Sequence, residues 1–487
     1  MRDYDRFYIG GDWVEPAGSG TLEVHSPASL ERIGSVPVSS TEDIDQAVAA
    51  ARKAFDEGPW PHTSPKERAD VMAAISANIQ ARMQEFAELI TQENGSPISW
   101  SLMGQVFAAT MVLDYYAGLV TEFPFEEWRT GLMGPSLVRK VPVGVAGGIV
   151  PWNVPLFVSM LKLAPTLAAG GTIVLKPAPE TPLDANLLAE CFEGTGLPPG
   201  VINIVAADRE VGQHLVTHPG VDKIGFTGST AAGRKIASLC GEQLKRITLE
   251  LGGKSAAIIL DDADLSTVIP GLMTATMMNN GQACVAQTRI LASRQKYGEV
   301  VDALTETIAA LKVGDPLDPD TEVGPLVAER QRDRVEGYVA GGKEQGARVT
   351  IGGGRPSGMD TGWYVEPTLF ADVDSSMTIA QEEIFGPVLV AIPFDDEADA
   401  VRIANDSTYG LSGSVWGADN DRALDIAKQI RTGTLSVNGF MLEFGSPFGG
   451  FKQSGVGREM GPEGLNAYLE SQSIAMPADS AAAPVGA

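Results

Sequence analysis

VAGGIV at 145–150, TIVLK at 172–176, VINIV at 201–205, DKIGF at 222–226 and RITLEL at 246–251 decide the fold of this chain. Each run is short, apolar and rich in β-branched residues, the composition of strands buried on both faces of a parallel sheet. Segments with helical spacing separate them at 156–169, 183–193, 210–217 and 231–240, and Gly or Pro punctuates the joints. Five strands and four crossovers predict a doubly wound, Rossmann-type parallel sheet of the α/β class.

Two helical stretches precede this unit, at 41–55 and 65–93, the second with Val71, Ile75, Ile79, Met83, Phe86 and Ile90 at helical spacing. A second alternation follows it, with strands expected at 256–260, 288–292, 388–394 and 411–416 and helices at 296–311, 329–345 and 419–430. That is a second α/β domain. A length of 487 residues agrees, because single cores stop growing at roughly 250–300 residues. The last stretch, 477–487, reads as a flexible tail.

Composition excludes several classes of function. Hydrophobic residues make up 44 % and charged residues 20 %, and the Gly 55 and Pro 31 are spread along the chain, which rules out disorder and collagen. Asp and Glu outnumber Lys and Arg by 62 to 36, a formal charge of −26 that repels a phosphate backbone, so no nucleic-acid partner is expected. No apolar run reaches the roughly 18 residues of a spanning helix, and the start MRDYDRFYIGGDWVEP has neither a basic nor an apolar leader region. No membrane partner and a cytoplasmic location are expected. The cysteines Cys191, Cys240 and Cys284 form no CxxC pair, which fits a reducing compartment.

The four histidines, His25, His62, His214 and His218, make a Ser-His or Cys-His catalytic pair a poor reading. His214 and His218 stand four apart on an expected helix with no carboxylate or thiol at ligand spacing beside them, so no metal is predicted. GxSxG, GxxxxGK[ST], HExxH and GxGxxG are all missing. Between a strand and a helix lies FTGSTAAGR, in which Gly228 and Gly233 flank Ser229 and Thr230. That is either a pyrophosphate-binding turn or a tight turn with a capping hydroxyl. Cys284 lies in the polar stretch MNNGQACVAQTR, whereas Cys191 and Cys240 sit in apolar helical patterns, so Cys284 is the reactive candidate. Glu250 ends a strand where burial would raise a carboxyl toward useful base strength. Asn153 follows the first strand, and its amide could donate to a developing oxyanion.

In their order along the chain, PWNVP (151–155), LKPAPETP (175–182), FTGSTAAG (226–233), LELGGK (249–254), NNGQACVAQTR (279–289), EEIFGPV (382–388) and SPFGGFKQSGVGRE (446–459) resemble the NAD(P)-dependent aldehyde dehydrogenase superfamily, over nearly the whole length. The resemblance implies that Cys284 attacks the aldehyde, that Asn153 and the Cys284 backbone N–H hold the oxyanion, and that Glu250 activates the water that hydrolyses the thioester. Lys162 and Glu459 match positions assigned to proton relay, or else form a structural ion pair. For the cofactor it implies Lys176 at the ribose, Gly228, Ser229 and Gly233 at the pyrophosphate, Trp152 on the adenosine side, and Glu383 with Phe385 at the nicotinamide ribose. Ile149, Val150, Pro151, Gly212, Phe226 and Leu251 complete that set. Pro179 stands where many NAD-preferring members carry a glutamate, with Glu180 one place later, so NAD is the expected cofactor and NADP stays possible. Val154, Phe157, Val158, Leu161, Val285 and Phe448 match the substrate tunnel and imply an apolar aldehyde.

The family architecture further implies an NAD(P)-binding domain over 1–122 and 142–252 and a catalytic domain over 253–450. Oligomerisation segments at 123–141 and 451–476 would pair as a small β arm in a homodimer or homotetramer. The alternatives are a semialdehyde-specific dehydrogenase, or a non-catalytic binding protein on the same fold. The presence of Cys284, Glu250 and Asn153 together argues against the latter.

Overall fold

In the computed structural model, which describes residues 1–477, strands Val145–Ile149, Thr172–Lys176, Ile202–Ile204, Lys223–Thr227 and Arg246–Glu250 form one parallel array. Their spatial order runs from Arg246–Glu250 through Lys223–Thr227, Val145–Ile149 and Thr172–Lys176 to Ile202–Ile204. The chain therefore leaves Val145–Ile149 to one side and later returns to pair on its other side. This is the reversal of strand order at which open α/β sheets form a crevice. Three short strands not expected from sequence extend the sheet: Phe7–Ile9 and Asp12–Val14 at one edge and Gly455–Val456 at the other.

The crossover helices show why the sequence folds this way. Pro155–Ala169 begins with Pro in its first turn and stops at Gly170, whose φ of 86° is left-handed. Nearly every residue of this helix is buried, so it runs through the centre of the unit, and the one charge it carries there, Lys162, must find a partner. Thr230–Glu242 starts on Ser229, which accepts a hydrogen bond from the Ala232 N–H, and Arg209–Thr217 starts on Asp208 in the same way.

Three helical stretches differ from what local patterning gives. The helix expected over 65–93 is two helices, Pro65–Ala81 and Met83–Asn94, broken at Arg82 (φ −114°, ψ 19°), where the guanidinium bonds Glu85 and Glu190 at 2.7 Å each. The helix expected over 183–193 ends at Glu190, because the Asn78 amide donates to the freed carbonyls of Cys191 and Glu193. Residues 98–122, left without assignment by sequence, are helical from Ile98 to Glu122, and the stretch Ser101–Phe107 is wound as a π-helix. Such turns concentrate at functional sites.

The second α/β unit carries a sheet ordered Arg348–Ile351, Thr368–Ala371, Val388–Phe394, Arg289–Ser293, Ala256–Ile259, Gly413–Trp416 and Ser436–Val437. Its central strands are those read from sequence, and the two strands on its Arg348 side and the one at its Ser436 edge are not. A small sheet pairs Glu126–Gly131 with Gly134–Pro142 and the latter with Leu469–Ala475, all antiparallel. Apart from Pro477, the stretch 477–487 lies outside the described residues. Among the described residues no helix is long and apolar enough to cross a membrane.

Candidate active site

Strand register brings the carboxyl ends of the first sheet to one line, with Ile149 beside Lys176 and Phe226, and Thr227 beside Glu250. A cavity of about 400 Å³ opens there and is lined from both α/β units. Cys284, Glu250, Asn153 and Glu459 all face it. Of the expected tunnel residues, Val154, Phe157, Val158, Leu161, Val285 and Phe448 line it too, as do Pro151, Trp152, Gly228, Ser229, Leu251, Glu383 and Phe385 from the cofactor set. Ile149, Val150, Lys176, Pro179, Gly212, Phe226 and Gly233 do not line it.

Glu250 is buried, and neither carboxylate oxygen has a hydrogen-bond partner. Burial, and then the neighbouring charge of Glu459, hold its pKa well above the carboxylate range. Gly449 makes the room: a Cβ there would stand 2.6 Å from Glu250 Oε1. Lys162 lies just behind, its Nζ donating to Glu459 Oε1 at 2.6 Å and to Thr227 Oγ1. Both members of that pair are buried.

Cys284 is the half-buried cysteine of the three, and Cys191 and Cys240 are buried. Desolvation, with Glu383 and Glu250 nearby, pushes its thiol up to about 12, so the sulfur carries its proton until a positive charge arrives beside it. Gly253 packs against its carbonyl, where a Cβ would come within 2.4 Å of Cys284 O. The Asn153 amide donates to Gln282 O at 2.9 Å, which ties the loop after the first strand to the loop that carries the cysteine.

The cofactor side is built from close approaches. A Cβ on Gly228 would meet the Phe226 ring at 2.6 Å, and one on Gly233 would meet Leu251 at 2.4 Å, so the helix Thr230–Glu242 sits tight on the sheet only because both are glycine. Ser229 does cap this helix, accepting from the Ala232 N–H, and Gly228 and Ser229 line the cavity. Glu383 accepts the Gly253 N–H at 2.8 Å, and burial raises its pKa to about 7. Phe385 holds a left-handed φ of 64° and meets the Trp152 indole edge-on, ring centres 5.4 Å apart. Lys176, expected at a ribose, turns its Nζ to the carbonyls of Pro177 (2.8 Å) and Ala207 (2.9 Å), and Gly212 leaves space for its stem. Pro179 is exposed, while the Glu180 carboxylate is bonded by Arg330.

Sequence reasoning missed part of this cavity. Gly104 enters it from the π-wound segment and Trp100 and Ala108 from the helical residues that flank that segment, Phe440, Leu442 and Phe444 from a loop without periodic pattern, and Gln331 and Arg334 from the helix Glu329–Glu344. Gln331 donates to Phe385 O at 2.6 Å and Arg334 to Glu383 O at 2.5 Å, so both brace the expected cofactor clamp. Their signal was the E-x-Q-x-x-R spacing at a helix start, and nothing local linked it to the clamp.

One expectation needs correction. His214 and His218 do meet a carboxylate, for Asp45 from the helix Thr41–Asp56 lies 2.6 and 3.3 Å from their Nε2 atoms. The Gly220 N–H donates to His218 Nδ1 at 3.0 Å, so the proton of the neutral ring sits on Nε2, the nitrogen nearer Asp45. A metal-ligating imidazole donates from its second nitrogen instead of accepting there, so this trio is a hydrogen-bonded cluster.

A sequence model of the Aldehyde dehydrogenase family matches residues 13–474. The chain is 47 % identical to the geranial dehydrogenase of Castellaniella defragrans, covering 97 % of this chain and 98 % of that protein. It is 43 % identical to a 3-succinoylsemialdehyde-pyridine dehydrogenase of a Pseudomonas species, covering 97 % and 99 %. The crystal structure of Mycobacterium tuberculosis aldehyde dehydrogenase complexed with NAD+ superposes with a TM-score of 0.97 at 51 % identity, over 98 % of this chain and 99 % of that one.

Proposed function

This chain belongs to the aldehyde dehydrogenase family, and from that premise we propose that it oxidises an apolar aldehyde to the carboxylic acid with NAD, using Cys284 as nucleophile, Asn153 and the Cys284 N–H as oxyanion donors and Glu250 as base. The observation that carries the reading is the convergence of Cys284, Glu250 and Asn153 on one cavity whose remaining wall is mostly apolar and aromatic. The residues fit a dinucleotide: the Gly228 and Gly233 approaches keep a helix N-terminus open at the sheet edge, and Trp152, Glu383 and Phe385 flank the path from there to Cys284. Lys176 would approach the ribose by releasing a carbonyl.

In this reading the Cys284 thiol gives its proton to solvent as Sγ bonds to the aldehyde carbon, and the oxygen that takes the negative charge is held by the Asn153 amide and the Cys284 N–H. NAD, when bound, supplies the hydride acceptor and a positive ring near the sulfur. Loss of hydride from the Cys284 adduct leaves a thioester. Glu250 then takes a proton from water as the water oxygen attacks the thioester carbon, and the carbon–sulfur bond breaks to release the acid. A panel of aldehydes read as NADH formation tests this directly. Aliphatic and terpenoid aldehydes should outrun short dicarboxylic semialdehydes, because the expected tunnel residues carry no Lys or Arg and Arg334, the cation on the cavity wall, is engaged by Glu383 O at the cofactor clamp. Preference for the dicarboxylic substrates would overturn the substrate class.

Cofactor choice gives a second test. A carboxylate near the adenine ribose penalises a 2′-phosphate, Pro179 contributes none, and Glu180 is engaged by Arg330. Pro179→Glu should move the ratio of kcat/KM toward NAD by roughly one to two decades, chiefly by weakening NADP. An unchanged ratio would assign the discrimination to another group.

Glu459 gives a third. Glu459→Gln leaves the Lys162 ammonium buried without its partner, which should cost about 3–5 kcal/mol of stability, read by denaturant unfolding. The same change removes a charge that raises the Glu250 pKa and exposes Glu250 to Lys162. Since Glu250 acts only when deprotonated, the acid limb of the kcat profile should move to lower pH. A limb that stays in place or moves up contradicts Glu250 as base.

We further assign residues 1–122 and 142–252 to NAD binding and 253–450 to catalysis, and propose a cytoplasmic homodimer or homotetramer. Support for the last is the hairpin Glu126–Gly131 with Gly134–Pro142, whose tip exposes Leu132 and Met133.

A further inference from the structure

Three successive residues before the nucleophile loop adopt left-handed backbone: Asn279 (φ 52°, ψ 41°), Asn280 (φ 60°, ψ 29°) and Gly281 (φ 72°). Such residues normally occur singly, and a run of them persists only where the surroundings over-determine it. Glycine is required at 281, where a Cβ would lie 2.2 Å from Gly386 O. The two asparagines are held by their side chains, and they hold different things. Asn280 ties the turn outward, donating to Gly95 O (2.8 Å) and Pro325 O (2.9 Å) and accepting from the Gly324 N–H (2.6 Å).

Asn279 ties it inward. Its Nδ2 donates to Asn153 O at 2.8 Å and to Gln282 O at 3.1 Å, and its Oδ1 accepts from the Ser96 hydroxyl. The Asn153 amide donates to the same Gln282 O at 2.9 Å, so the two side-chain amides close a ring between the Asn153 loop and the loop that leads into Cys284. Every member is buried. The two proposed oxyanion donors sit on those two loops, which meet only through tertiary structure.

We propose that Asn279 is a positioning residue for the oxyanion site: it bridges the carbonyl of Asn153, which the Asn94 and Gln105 amides also hold at 3.2 and 3.4 Å, to the carbonyl of Gln282, and as the one donor that joins the two it sets the separation at which the Asn153 amide and the Cys284 N–H converge. The inference rests on the roles proposed above for Asn153 and Cys284. Its force comes from geometry, since misplacing a reacting group by about 1 Å can cost 10²-fold and losing one oxyanion donor about 10²–10³-fold.

The test is pre-steady-state NADH formation in Asn279→Asp, which keeps the volume but turns the two donors into an acceptor facing two carbonyls. The burst rate should fall about 10–100-fold while the burst amplitude stays near one per active site and the KM for NAD is unchanged. A merely structural role would lower the amplitude and leave the rate. Asn280→Asp makes the same chemical change one residue on without touching Asn153, and should lower the thermal midpoint with an unaltered burst rate. Should Asn279→Asp fail to fold, Ser96→Ala decides, because it removes the bond that fixes Asn279 Oδ1 and loosens the clamp, and should slow the burst by about three- to tenfold. A wild-type burst rate in Asn279→Asp or, failing that, in Ser96→Ala, or an equal slowing in Asn280→Asp, overturns the proposal. A wild-type enzyme with no burst on any aldehyde overturns the functional reading, and this inference falls with it.

Discussion

Cys284→Ser should lose aldehyde oxidation by roughly 10⁴-fold or more while the protein folds and binds NAD as before. A serine hydroxyl is far less acidic than a thiol and a poorer nucleophile, and this site already disfavours the anion. Burial and the carboxylates of Glu383 and Glu250 push even the thiol to about 12. Neither other cysteine takes its place, because Cys191, just past the helix that ends at Glu190, and Cys240 are buried in the core and do not line the cavity. The measurement pairs steady-state NADH formation with mass spectrometry after alkylation. Label on Cys284, tracking loss of activity, is expected. Full inactivation with label only on Cys191 or Cys240 would sink the assignment.

Glu250→Gln should separate the two halves of the reaction. Glutamine keeps the shape, but it cannot take a proton from water, so thioester hydrolysis should slow by about 10²–10⁴-fold while the first turnover survives. Single-turnover mixing should show near-stoichiometric NADH followed by almost no steady rate, and intact mass should show the acyl group retained on Cys284. The orphaned state of both carboxylate oxygens sharpens this expectation. Glu250 makes no hydrogen bond whose loss would disturb the fold, and the space that Gly449 leaves beside it is unchanged by the substitution. An unaltered steady rate would mean that another group activates water, and Glu459, facing the same cavity, would be the next to change.

The parallel sheet, its crossovers and the line of residues at its carboxyl edge were legible in the sequence, because β-branched runs, 3.6-residue periodicity and Gly or Pro joints are local signals. Once strand order is right, residues that follow strands fall on the ligand-binding edge without further information. Glu250 and Asn153 were singled out for that reason and Cys284 by its polar surroundings, and all three by their motifs. Tertiary structure alone decided the rest. The break at Arg82 follows from Glu190, which lies in another helix, and the contact of Asp45 with His214 and His218 joins helices more than a hundred residues apart. Arg330 reaches Glu180 from 150 positions away, and Asn279 reaches Asn153 from 126. A side-chain hydrogen bond between distant segments leaves no period in either one. Its donors and acceptors look like solvated polar residues until packing removes the water that would otherwise satisfy them.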